Sequence, residues 1–174
     1  MKLSKSVALA CALATLVTVV ARAGGDKVAF PQNYDKGVLY TTVDRADNKQ
    51  FRELYAPASA IEAAKKGQPM PSGTVLTMVN YLTQLGPDGN PVKDTNGRFI
   101  KTSTIAGIAV MEKRTGWGTE YPDNVRNGEW EYQAFKADKA PNTAANLTTC
   151  FNCHKPIDAK QDFVFSYDKM KSAR

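Results

Sequence analysis

The chain has one histidine, His154, and three cysteines, of which only Cys150 and Cys153 lie beyond the first 23 residues. With so few soft ligands, a structural zinc site built from four Cys and His side chains is excluded. So is a disulfide framework, because two cysteines three places apart close too small a loop to staple a fold. No apolar run reaches the roughly 20 residues that a spanning helix needs. Nor is there a stripe of basic residues interleaved with aromatics, so the formal charge of +6 makes no case for nucleic acid.

Half of that charge belongs to the N-terminus. Lys2 and Lys5 precede a nearly unbroken small and apolar run from Val7 to Val20, and Ala21-Arg22-Ala23 supplies the small-x-small pattern of a cleavage site. The expectation is an export signal over 1–23 and a single mature domain over 24–174, delivered to the periplasm. Cleavage removes Lys2, Lys5 and Arg22 with no acid, so +6 falls to +3.

The remainder alternates in the manner of strands. GVLYTTV (37–43) is β-branched and aromatic, PASAIEAAKKG (57–67) reads as a short helix between Pro57 and Gly67, and GTVLTMVNYLTQL (73–85) is a strand. GPDGNPVKDTNG (86–97) is a hairpin loop, and RFIKTSTIAGIAVMEKR returns from it, with a bulge expected at Gly107. In 129–137, Trp130, Tyr132 and Ala134 alternate with Glu129, Glu131 and Gln133, the pattern of a half-buried strand. Asn142 is the expected cap of a short helix that carries the cysteines, and DFVFSY (162–167) closes the domain. The fold class is α+β, mainly antiparallel β-sheet with short peripheral helices.

Against that frame stands TTCFNCHK (148–155). A thioredoxin-type pair needs a βαβ setting, which is missing, and zinc would need ligands from carboxylates or water. Cys-x-x-Cys-His is also the attachment signature of c-type haem. The two thiols add across the porphyrin vinyl groups, and the next residue is held over the iron. Helical spacing puts positions three and four apart on one face, as this chemistry requires. The reading is one covalent haem c, held by Cys150 and Cys153, with His154 as proximal iron ligand. A second histidine ligand is excluded. Met70, Met78, Met111 and Met170 are the candidates for a sixth ligand, and otherwise the iron stays open to a small molecule.

Other residues carry less. Trp117, Trp130, Tyr121 and Tyr132 read as core and edge aromatics before an electron path. Glu112 and Arg114, two apart on a strand, are weighed as pocket polar groups against plain solvation. Lys155 is expected to face water or a haem propionate. Asp88, Asn90 and Asp94 fall short of a calcium loop and read as turn residues.

SGTVLTM (72–78), GRFIK, VMEKRTGWGTEYP, RNGEWEYQAF and CFNCHKPIDAKQDFVFS together resemble the cytochrome P-460 family, which includes the cytochromes c′-beta. The resemblance implies a mostly antiparallel sheet, a homodimer and one c-type haem attached near the C-terminus. It also implies a lysine cross-linked to the porphyrin in the hydroxylamine-oxidising members, and here Met78 stands at the matching place. The c′-beta side of the family lacks the cross-link and binds nitric oxide. The expected function is therefore a periplasmic mono-haem cytochrome with open iron for nitric oxide. The alternatives are an oxidoreductase acting on hydroxylamine, nitric oxide or peroxide, and an electron carrier with a methionine ligand. Its partners would be a small gaseous or nitrogenous ligand and a periplasmic electron-transfer protein, with no nucleic acid. Met78 is either a wall of the haem pocket or core filling.

Overall fold

Val38–Arg45 (β1) turns through residues 46–49 into Gln50–Ala56 (β2), with Lys49 at φ 53° in the turn. The structure, a computed structural model, describes residues 27–157 and 159–173, so the export segment expected at 1–23 lies outside the described residues. After β2 comes a helix, Ala58–Lys65 (α1), started by Pro57 and ended at Gly67, whose φ of 67° is the left-handed stop that glycine supplies. Val75–Thr83 (β3), Lys101–Lys113 (β4) and Trp130–Phe135 (β5) complete a five-stranded antiparallel sheet in the order β1-β2-β3-β4-β5. Each strand pairs with its neighbour in sequence, so the sheet is a meander. Two short helices follow, Thr148–His154 (α2) and Tyr167–Lys171 (α3), and α3 packs on α1.

The sheet is covered on both faces, which is why its strands carry few simple alternations. Leu76, Met111 and Tyr132 meet Phe151 of α2 and Tyr167 and Met170 of α3 on one face. On the other, Val79, Ile108, Val110 and Phe135 are covered by Val28 and Phe30, with the Phe30 and Phe135 rings 5.2 Å apart. Among the described residues no helix is long and apolar enough to cross a membrane.

Three expectations need correction. The strand Gln50–Ala56 was not anticipated between 37–43 and the helix, because Arg52 and Glu53 interrupt its apolar character. The strand 129–137 is shorter, and it is not half-buried: Glu131 and Gln133 are as buried as Trp130 and Tyr132, because a loop and the N-terminal segment cover the second face. Asn142 does not cap the cysteine helix. Its side chain accepts from Ala144 N at 3.3 Å in a local turn, and Asn146 stands before α2 instead, accepting from Thr148 N at 3.1 Å. The expected irregularity at Gly107 is present as a register shift, since Asn80 faces Gly107 while Tyr81 faces Ile105.

Candidate functional site

Only seven residues long, α2 is held by tertiary contacts rather than by its own propensity. Phe151 is fully buried, its ring 4.9 Å from that of Tyr121 and 4.8 Å from that of Tyr132. Asn127, also fully buried, donates from Nδ2 to the Phe151 carbonyl and to the Tyr132 hydroxyl, both at 3.0 Å. With Phe151 anchored, helical spacing puts Cys150, Cys153 and His154 together: Cys150 half-buried, Cys153 exposed, both thiols unpaired.

His154 is held from its far side. Its Nδ1 lies 2.7 Å from the Phe163 carbonyl, and because a carbonyl can only accept, Nδ1 carries the proton. The lone pair is thus on Nε2, the nitrogen left for a metal. The rings of Tyr132 and Phe165 flank the imidazole, each 5.0 Å away. Burial lowers the His154 pKa, against the smaller opposing pull of the Phe163 carbonyl, so the ring is kept neutral as a ligand must be. Burial raises the Cys150 thiol, and the neighbouring Cys153 adds to the rise. That is the opposite of the depressed thiol a dithiol oxidoreductase needs.

In front of this triad the sheet offers a shelf. Cross-strand register puts Leu54, Met78, Ala109 and Ala134 in one row, and Arg52, Asn80 and Gly107 in the next. Both rows share the face of Leu76 and Met111. Small residues at Gly107, Ala109 and Ala134 leave this part of the sheet low, where Leu76, Met111 and Tyr132 fill the adjoining part. Val43, Leu82 and Phe165 at its margins are exposed apolar side chains. Cys153 lies near enough for charge on its sulfur to act on Arg45 and Arg52. Two buried polar atoms on the shelf, Arg52 Nε and Asn80 Oδ1, have no hydrogen-bond partner among the described residues. An apolar shelf beside two thiols and a neutral imidazole suits a flat, largely apolar macrocycle with polar edges, so the residues present fit haem.

The cytochrome P460 family model matches residues 31–166. The chain belongs to the cytochrome P460 family. No curated protein sequence matches it. Membership of the cytochrome P460 family makes the chain a haem-binding cytochrome, and the match takes in every strand, α2 and the Phe163 carbonyl.

The structure sorts the other candidates of this cytochrome. Glu112 and Arg114 bond to each other, Arg114 Nε to Glu112 Oε1 at 2.6 Å, on the face opposite the cysteines, where Glu112 pairs in register with Val75. A pocket role for them is therefore set aside. Lys155 donates to the carbonyls of Asp123 and of Arg126, the latter at 2.6 Å, and so ties α2 to the loop before β5. Tyr121, Trp130 and Tyr132 are buried core aromatics, whereas Trp117 packs against the second face. Asp88 and Asp94 accept from Asn90 N and Asn96 N within their own turns. A cavity of about 550 Å³ near Tyr34, Tyr55 and Val75 has neither cysteine nor histidine in its lining. Met70, Met111 and Met170 are buried in the main core, while Met78 is half-buried on the shelf and joins neither core cluster. Sequence reasoning missed Asn127, Asp162, Phe163, Arg52 and Asn80. Only a three-dimensional register brings them to the site, although the unusual density of aromatics in DFVFSY was a signal.

Proposed function

We propose that this cytochrome carries one covalent haem c and uses it to bind a small neutral ligand, nitric oxide first among them. The observation that carries the reading is the neutral His154, fixed through Nδ1 by the Phe163 carbonyl, beside two free thiols at the edge of an apolar shelf. Cys150 and Cys153 would hold the haem as thioethers, each S–H adding across one vinyl group with sulfur to one carbon and hydrogen to the other, and His154 Nε2 would ligate the iron. Haem held there would supply an iron able to bind a diatomic or nitrogenous ligand. Met78, at the shelf's centre, keeps water away and has no amine with which to form a cross-link to the porphyrin rim. Leu54, Ala109 and Ala134 add to the same dry wall, which favours uncharged ligands. Export to the periplasm and assembly as a homodimer belong to the same reading, supported by the N-terminal signal pattern and by the family resemblance.

A second reading follows from Met78 as well. It is the one methionine of the four outside the signal that is not core, so an electron carrier with a methionine ligand would have to use it. Oxidation of hydroxylamine is the third, favoured only if the porphyrin rim proves to be cross-linked. The test is extraction with acid and organic solvent followed by visible spectra of the intact protein. Haem that stays on the polypeptide and a five-coordinate high-spin ferrous spectrum support the proposal. Haem that washes out overturns it, a low-spin spectrum with a methionine band moves it to electron transfer, and a red-shifted Soret band moves it to the oxidase.

A further inference from the structure

Asp162 and Phe163 are consecutive non-glycine residues in the left-handed region, at φ 49° and 60°. Phenylalanine rarely adopts that conformation, and two such residues in a row persist only where the surroundings over-determine them. Here the determinant is Asp162. Its carboxylate is buried, with Oδ1 and Oδ2 each 2.9 Å from Lys113 Nζ at the end of β4, and Oδ2 also accepts from Met70 N at 2.9 Å. Lys113 is itself buried and lies over the Trp130 ring, its Nζ 5.8 Å from the centroid. The Phe163 ring adds a steric stop, since even a Cβ at Gly128 would come within 3.2 Å of it. The product of this turn is the direction of one carbonyl, that of Phe163, which meets His154 Nδ1 at 2.7 Å.

We propose that Asp162, paired with Lys113, is a positioning residue that holds the Phe163 carbonyl on His154 and thereby sets the donor strength of the proximal histidine. The hydrogen bonds of the pair run to each other and to Met70 N, so it acts through the backbone of the turn. A carbonyl held close to Nδ1–H pulls on that proton and makes Nε2 a stronger donor to iron, a lever that tunes metal sites from outside the ligand set. A stronger donor favours the ferric over the ferrous state, so the pair keeps the potential low. A turn formed for packing alone would not need a buried charge. An apolar pair of similar volume is often as stabilising as a buried ion pair, whereas the ion pair and the Met70 amide together orient the turn.

The inference rests on the haem reading above, and its test separates the two. Asp162→Asn and Lys113→Met are made in the full chain, matured with haem, and checked for haem that resists extraction. Asparagine tolerates left-handed φ and keeps the shape, so Asp162→Asn is the variant that folds even if Lys113→Met does not. In the ferrous state, the iron–histidine stretching band in resonance Raman is expected to move to lower wavenumber and the midpoint potential to rise. The double variant should move no further than the larger single change, because the two residues act as a unit. If a methionine occupies the sixth position, the potential alone is read. Band and potential unmoved in haem-loaded Asp162→Asn overturn the positioning role alone. A wild-type chain from which haem washes out overturns the haem reading and this inference together.

Discussion

Asn127 donates to the carbonyl of Phe151 across 24 positions of sequence, and so couples the loop before β5 to the helix that carries both cysteines. The same amide nitrogen donates to Tyr132, whose ring packs on Phe151 and on His154. Replacing Asn127 by alanine takes the donor from the Tyr132 hydroxyl and one of two from the Phe151 carbonyl, which keeps Lys155 N at 2.8 Å. The expected cost is about 1–2 kcal/mol, since one buried group left unsatisfied costs roughly 1–3 kcal/mol. Denaturant unfolding measures it, and a midpoint within error of wild type would refute it.

Phe151→Ala should cost more. A fully buried phenylalanine truncated to alanine loses about 3–5 kcal/mol. Because α2 is too short to stand alone, the yield of haem-loaded protein should drop as well. Unaltered stability with full haem loading would show that α2 is anchored elsewhere.

Met78→Ala separates the two roles of that residue. As a wall of the shelf, half-buried and outside both cores, it should cost below about 2 kcal/mol, less than the 2–5 kcal/mol of a core methionine. Association rates of nitric oxide or carbon monoxide should change. Unchanged rates with a full core penalty would make it filler. A porphyrin cross-link found by mass spectrometry would end the argument from its missing amine.

Single removal of either thiol is expected to leave one thioether. Cys150→Ala and Cys153→Ala should each keep haem through extraction, with a shifted α band in alkaline pyridine, and the double variant should lose it. Retention by the double variant would mean a different attachment.

Acid should loosen the tie between β1 and the long hairpin. Asp44 accepts from Arg98 Nε at 2.8 Å and from Phe99 N at 3.2 Å, and the Arg98 hydrogen bond holds its pKa below 3.8. A lowered folded pKa means that the unfolded chain binds the proton more readily. The contribution is therefore complete above 3.8 and is lost as pH falls through the lower folded value. Arg98 is partly exposed, so the contribution is discounted for solvent screening to about 1 kcal/mol. Asp44→Asn should lower stability at neutral pH and flatten the acid limb of the stability profile; an unchanged limb would refute the assignment.

The antiparallel class, the loop at 86–97, the short helix after Pro57 and the cysteine–histidine triad were legible in the sequence. Those features are local: β-branched alternation, turn formers, and a spacing that a helix turns into one face. Strand Gln50–Ala56 escaped because Arg52 and Glu53 look solvated until the sheet covers one and the other pairs with Lys101. Glu131 looked like the wet side of a strand for the same reason: burial of its face depends on residues 28–34 arriving from the far end of the chain. The triad itself said nothing about which histidine nitrogen is free. That was decided by Phe163, turned by Asp162 and Lys113, two partners 49 positions apart whose meeting is a property of the packed domain and of no local pattern.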